Sequence, residues 1–353
     1  MKVTLLATRY YRIGSGISTY TYEMYNALKK YSNLDLEFIA QREYFRKLPF
    51  IRKGYTNMLN WWLWSTFDLK PDDFNGKNVH SLSVGPFPMR YIDKPRRKII
   101  TVQDNFFLFR PQGVNLKRFV FLKTVGKNFL ENYAKLDSYD HIIATSELIR
   151  DAIIDFMDIN PDKVSVAYIM AGEKFRPLKK LRSLRNQKKC VIGYINTFSP
   201  NKAPKLREFI RIFKTIKDDS LEMRIYGPPP FPFDNLVKDD TRIKYFGLLL
   251  DENKMVEEYN SFDVYLCTST VEPFGVPQIL AKACKIPVLS YDGNIPAITK
   301  GNTLIWNEEN LAEIIKNRKW KTINVNKAYA DAEKCRPKAV VNNLSKIYQM
   351  VFQ

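Results

Sequence analysis

The sequence predicts an α/β protein made of two doubly wound, Rossmann-like domains whose strand ends face a cleft between them. Three observations carry this reading. Apolar runs of strand length alternate with amphipathic stretches of helix length. The alternation runs through the first half of the chain, breaks, and starts again near residue 189. The break coincides with a change of charge: from Lys174 to Arg207 there are eleven Lys or Arg and no Asp or Glu.

In chain order, KVTLLAT (2–8) is a strand, and Ile17, Tyr20, Met24, Leu28 and Tyr31 then recur at helical spacing. LDLEFIA (34–40), NVHSLSV (78–84), RKIITVQD (97–104) and YDHIIATS (139–146) are further strands, with a helical stretch over 115–137. The second cycle opens at KCVIGYI (189–195), followed by a helix at 203–216, strands at 221–227 and 242–248, and a helix at 251–261. It ends with strand FDVYLCTS (262–269), a helix at 277–285 and strand IPVLSYD (286–292). Strands separated by helices require crossover connections, hence parallel sheets. Val340, Val341, Leu344, Ile347, Tyr348 and Val351 line one face of a terminal helix. The expected organisation is an N-terminal domain over 1–175, a basic linker over 176–188 and a second domain over 189–335. A C-terminal helix over 336–353 is expected to pack back on the first domain.

Composition narrows the class. At 353 residues, 45% hydrophobic and 26% charged, the chain can build two cores and is not a disordered segment. Its net charge of +19 favours phosphate, anionic headgroups or nucleic acid as partners. Cys190, Cys267, Cys284 and Cys335 are widely spaced, which fits reduced thiols better than a zinc site or a disulfide framework. Two histidines, His80 and His141, are too few for a histidine metal site. The first residues read as a buried strand rather than a signal peptide, and no apolar run reaches the ~18 residues of a spanning helix. A cytoplasmic protein is expected, peripheral at most on the cytoplasmic membrane face.

In open α/β sheets ligands sit outside the carboxyl ends of the strands, so the strand-to-helix turns are the candidate sites. RIGSGISTYTYE places Gly14 and Gly16 before the first helix, where free N–H groups and the dipole suit an anion. VIGYINTFSPNKAPK ends a buried strand in a loop with Lys202 at a helix entrance, suited to phosphate. TSTVEPFGVPQIL is the most informative turn. Pro277 starts a helix, the N–H groups near 275–279 point outward, and Glu272 stands beside them. A carboxylate there suits the hydroxyls of a neutral sugar next to a phosphate.

These turns together resemble those of the retaining GT-B glycosyltransferases, most closely the large family four, over nearly the whole chain. SGISTYTYE (15–23) resembles the family's glycine-rich first loop. Residues 100–105 resemble its His-Asp strand end, with Gln103 in place of the histidine and Asp104 kept. DHIIATSELIRDAII and NPDKVSVAYIMAGEKFRP (within 140–177) are similar to the segment closing the first domain. GYINTFSPNK (193–202) matches the loop that supplies an arginine and a lysine to the donor diphosphate. Lys202 fits the lysine, and Tyr194 or Asn196 stands near the arginine's place. EPFGVPQILAKACKIPVLSYDGNIPAI (272–298) resembles the donor-sugar motif, with Glu272 as its first glutamate, Leu280 in place of the second and Ala297 in place of a third.

The resemblance implies sugar transfer, with retention, from a nucleotide-sugar to a glycan, lipid-linked or protein acceptor, without a metal or resident cofactor. It places Glu272, Lys202 and Asp104 in the chemistry. It places Gly16, Gln103, Asn196, Lys202, Glu272, Pro273, Phe274, Gly275 and Val276 around the donor. Loss of the second glutamate implies altered or weaker nucleotide recognition.

On the acceptor side, His80 lies at a strand end, where it either faces the acceptor or packs into the core. Arg42, Arg46, Lys47, Arg52 and Lys53 surround aromatic residues, followed by Trp61, Trp62 and Trp64. Basic charge with tryptophan fits an anionic membrane interface; a core helix with buried tryptophans is the alternative. Two rival functions stay open. Substitutions at 103, 280 and 297 fit a non-catalytic protein of this fold, and the charge alone fits a nucleic-acid binder, although no such module is recognised and no nucleic acid is expected.

Overall fold

Among the described residues, twelve strands fall into two six-stranded sheets in which every pairing is parallel. The computed structural model describes residues 1–7, 16–40, 63–84, 87–103, 127–179 and 189–353. These separate into two units, Met1–Met170 with Pro337–Gln353, and Ala171–Arg336.

The first unit holds β1 (Lys2–Ala7), β2 (Asp35–Ala40), β3 (Asn78–Ser81), β4 (Arg97–Val102), β5 (His141–Ala144) and β6 (Val164–Val166), in spatial order β2-β1-β3-β4-β5-β6. Its helices are α1 (Gly16–Tyr31), α2 (Lys127–Ala134) and α3 (Glu147–Met157). Helix α3 begins where the Ser146 hydroxyl accepts the N–H of Ile149, an N-cap that supplies an otherwise orphaned donor with a partner. Strands β1 and β5 are buried along nearly their whole length, as expected of a parallel sheet covered on both faces. The terminal helix, Pro337–Phe352, belongs to this unit. Its Val340, Val341, Leu344, Ile347 and Tyr348 pack with Val3 and Leu5 of β1 and Met24 and Leu28 of α1.

The second unit holds β7 (Cys190–Ile195), β8 (Leu221–Tyr226), β9 (Ile243–Tyr245), β10 (Val264–Cys267), β11 (Val288–Tyr291) and β12 (Leu304–Trp306), in the order β12-β11-β10-β7-β8-β9. Its helices are α4 (Ala203–Thr215), α5 (Asp234–Val237), α6 (Glu252–Ser261), α7 (Val276–Ala283), α8 (Ala297–Lys300), α9 (Leu311–Lys316) and α10 (Val325–Lys334); the terminal helix is α11. On α4, Leu206, Phe209, Ile210 and Phe213 are buried at helical spacing. They join Trp306 and Trp320 in a core of large aromatic rings.

The unit boundary falls at Met170, five residues before the expected end of the first domain, because the chain that follows already packs on the second unit. Phe175 is buried, with its ring edge-on to Tyr259 at 5.8 Å. Asn260 receives the N–H of Leu178 and donates to the carbonyl of Arg176. The start of the expected linker is thus tethered, while 180–188 lies outside the described residues. Two edge strands, Val164–Val166 and Leu304–Trp306, are not among those expected from the sequence. Most of the helix expected over 115–137 also lies outside the described residues, and Lys127–Ala134 is its described part.

Candidate functional site

In the second sheet the chain starts at β7, moves out through β8 and β9, and returns to the other side of β7 as β10. The order reverses between β7 and β10, and loops leaving a sheet at such a point diverge and open a crevice. The two loops that carry Lys202 and Glu272 leave from the carboxyl ends of these two strands.

The loops are fastened to each other. Asn201 Nδ2 donates to the Val271 carbonyl at 2.8 Å, and the N–H and hydroxyl of Thr270 both bond to the Asn201 carbonyl. The Thr268 hydroxyl donates to the carbonyl of Lys202 at 3.1 Å. A third segment closes the other side. Glu272 N–H donates to the Asn294 carbonyl at 3.0 Å, and Asn294 N–H donates to the Thr270 carbonyl at 2.8 Å. Gly293 is required there, since a Cβ would lie 2.6 Å from the carbonyl oxygens of Ser269 and Thr270.

Between these loops Lys202 Nζ lies 3.0 Å from Glu272 Oε2 and donates to Asn196 Oδ1 at 3.0 Å. Ser269 Oγ donates to the same Glu272 oxygen at 3.0 Å. Both side chains of the pair are about one-seventh exposed, 13% for Lys202 and 14% for Glu272, so the pair is neither solvated nor sealed. Oε2 thus faces the Ser269 hydroxyl and the Lys202 charge, while Oε1 has no hydrogen-bond partner among the described residues and can accept from a ligand hydroxyl.

Beside the pair, helix α7 begins at Gly275, whose φ of +89° is a left-handed conformation that favours glycine. Phe274 is buried at 2% exposure and anchors the turn, and Pro273 is buried next to it. The expected row of outward N–H groups over 275–279 is shorter than the sequence indicated. Gln278 and Ile279 donate to the Gly275 carbonyl, and Pro277 has no N–H. The N–H groups of Gly275 and Val276 remain without a partner among the described residues, and they are the donors the helix start offers to an anion. Leu280, one turn on, is packed at 8% exposure.

The first unit places the other expected residues. Gly16 is the first residue of α1. Gln103 follows β4, is 6% exposed, and donates from Nε2 to the Leu82 carbonyl at 2.7 Å, tying the ends of β4 and β3 together. His80 is corrected from an acceptor-side candidate to a core residue. It is fully buried, with Nδ1 2.6 Å from the Tyr348 hydroxyl and Nε2 2.7 Å from Thr101 Oγ1. Burial pushes its pKa down to about 3, so it is a neutral pin between β3, β4 and α11. Trp64 is likewise core, at 2% exposure among Leu6, Phe74 and Phe87. Asp104, Trp61 and Trp62 lie outside the described residues. Sequence reading gave no site role to Ser269, Asn201 or Asn294: Asn201 and Asn294 act through partners on another loop, and Ser269 bonds Glu272 three residues along its own loop.

Among the described residues no three His, Cys, Asp or Glu converge as metal ligands, and no helix is long and apolar enough to cross a membrane. Cys267, Cys284 and Cys335 are buried free thiols, and Cys190 is half-buried.

Residues 189–318 match the model of the family described as glycosyl transferases group 1. Among solved structures, sucrose-phosphate synthase from Thermosynechococcus elongatus aligns over 99% of both chains with a TM-score of 0.70 and 12% identity. WaaG, a glycosyltransferase involved in lipopolysaccharide biosynthesis, covers 98% of this chain and 99% of its own, with a TM-score of 0.68 and 12% identity. Anabaena Alr3699/HepE, solved in complex with UDP, covers 99% of this chain and 100% of its own, with a TM-score of 0.65 and 13% identity. No match was found among curated proteins. The class is therefore the GT-B fold, two parallel α/β units each with its own switch point. More particularly, the second unit matches the family model of the group 1 glycosyl transferases from β7 through α9.

Proposed function

We propose that this protein is a retaining glycosyltransferase that moves a sugar from a nucleoside diphosphate to an acceptor hydroxyl, without a catalytic metal. The observation that carries the reading is the Lys202–Glu272 pair at the β7–β10 switch point, next to the open N–H groups of Gly275 and Val276. These groups divide the work. Lys202 and the two N–H groups stabilise the diphosphate as the bond from the sugar's anomeric carbon to phosphate oxygen breaks. Glu272 Oε1 accepts from the sugar hydroxyls and orients the ring. The acceptor oxygen bonds to the anomeric carbon from the same face, and its proton leaves with the departing phosphate oxygen. Solved structures of Alr3699/HepE with UDP, with UDP and glucose, and with UDP-glucose support a nucleotide-sugar as the donor class.

Leu280 stands where the resemblance implies a carboxylate for the ribose. A missing charge-assisted bond lowers nucleotide affinity by about one to two orders of magnitude, so weak nucleotide binding is part of the proposal. The acceptor is proposed to be lipid-linked or held at an anionic membrane surface. This is supported by the +19 charge and by the basic stretch over 41–62 with Trp61 and Trp62. The site is cytoplasmic in this reading, with the protein peripheral on the cytoplasmic membrane face.

The test is calorimetric titration with UDP, GDP, ADP and TDP and their glucose esters, followed by turnover of the one that binds. One nucleotide should bind, and Glu272→Ala should abolish transfer from its sugar ester. Failure of every nucleotide to bind would end the proposal.

A further inference from the structure

Lys282 is the one lysine or arginine among the described residues classed as buried, with a side chain at 0% exposure. It sits on α7 between Ala281 and Ala283, in a fully buried run where apolar residues are the usual occupants. A buried ammonium is a poor way to gain stability, so what it binds is informative. Its Nζ donates to the carbonyl of Ile298 at 3.0 Å and to that of Gly301. These carbonyls lie near the C-terminal end of α8, where the helix dipole favours a cation. Asp331 of α10 stands 3.9 Å away and also receives Asn302 Nδ2 at 2.9 Å. One ammonium thus joins α7, α8 and the turn after α8, and lies close to α10.

Helix α8 has only four residues and does not hold itself together. It continues directly from the segment that shapes the site. Ile295 is buried, Asn294 holds the backbone of Glu272 and Thr270, and Thr299 packs against the Gly275 turn, 3.0 Å from where a Cβ of Gly275 would be. Where α8 sits therefore fixes both the Glu272 carboxylate and the Gly275–Val276 donors.

We infer that Lys282 is a positioning residue: from inside α7 it anchors α8, and through Asn294 and Thr299 it holds Glu272 and the Gly275 turn in place for the donor. This rests on the donor-site reading above. An apolar residue of the same length fills the space but leaves the α8 carbonyls without their donor.

Lys282→Met in the full chain tests it by two routes. Hydrogen exchange should quicken at the amides of Glu272 and Asn294 while those of β8 keep their protection; equal protection in both chains overturns the inference, whatever binds. Titration with UDP, or with whichever nucleoside diphosphate the wild type binds, should show affinity reduced by roughly 3- to 30-fold at unchanged far-ultraviolet dichroism. Replacement of Glu272 by Ala should then cost less in the Lys282→Met background than in the wild type. Wild-type affinity in a folded Lys282→Met protein removes the inference and leaves the donor site standing. A wild type that binds no nucleoside diphosphate removes the donor site, and the exchange experiment still decides what Lys282 holds. Lys282→Gln, which keeps a shorter donor, should give the same changes at smaller size and serves if the Lys282→Met variant does not fold.

Discussion

Lys202→Met is the sharpest perturbation of the site, because it removes the charge and leaves the aliphatic stem. At 3.0 Å from Glu272 Oε2, the gross Coulomb attraction at an effective dielectric of about 20 is about 5 kcal/mol. Desolvation of two groups each about one-seventh exposed offsets most of it, leaving a net of about 1 kcal/mol for folding. For a unit of this size that lowers Tm by about 2–4 °C. The effect on the ligand should be larger. A phosphate bound at the Gly275 turn would lose one charge-assisted hydrogen bond of about 1.5–3 kcal/mol, or roughly 10- to 150-fold in Kd. The assay is calorimetric titration with the nucleoside diphosphate that the wild type binds, with a thermal melt alongside. A Lys202→Met/Glu272→Gln double variant completes the cycle and should be non-additive, since the Lys202 ammonium and the Glu272 carboxylate meet at Oε2. A Kd within about twofold of wild type, at the expected small drop in Tm, would show that Lys202 serves only Glu272 and not the donor.

Two further outcomes follow from the same geometry. Burial pushes the Lys282 ammonium down to about 8, with Asp331 opposing and Lys334 assisting, whereas the unfolded chain keeps this proton up to about 10.5. Unfolding therefore takes up a proton between those values, and stability contributed by this group rises with pH across that window, by on the order of 3 kcal/mol in full. Denaturant melts of wild type and Lys282→Met from about pH 7 to about pH 10 should converge as pH rises if the Lys282→Met variant is the more stable at the lower end; parallel curves would refute the burial argument. Gly293→Ala pushes a methyl into the Ser269 and Thr270 carbonyls and should cost about 1–3 kcal/mol, with a measurable loss of nucleotide affinity. An unchanged melt would mean the loop relaxes freely.

Much of the architecture is readable in the chain itself. Helix α4 shows its buried Leu206, Phe209, Ile210 and Phe213 at the spacing of one helical face, and α11 does the same, because a single element with one apolar face writes its period into the chain. Lys202, Glu272 and the Gly275-Val276-Pro277 helix start were readable because strand-to-helix turns are where such sheets place ligands. His80 and Trp64 were not. A strand-end histidine has the same local pattern whether it faces solvent or, as here, a tyrosine on a helix far along the chain. The boundary at Met170 escaped for a similar reason, since Asn260 holds Arg176 and Leu178 from a distant helix.

What the sequence determined by itself is the alternation of strand and helix, the doubling of that pattern, and which turns could carry charge, since each depends on residues within a few positions of one another. Only the tertiary structure decided that the order reverses between β7 and β10, and that Asn201 and Thr270 bring Lys202 against Glu272. It also left just two N–H groups open at the helix start, among the described residues, and buried Lys282 beneath α8. These depend on pairings between distant segments, chosen by packing and hydrogen-bond satisfaction over the whole unit, and no local period in the chain encodes them.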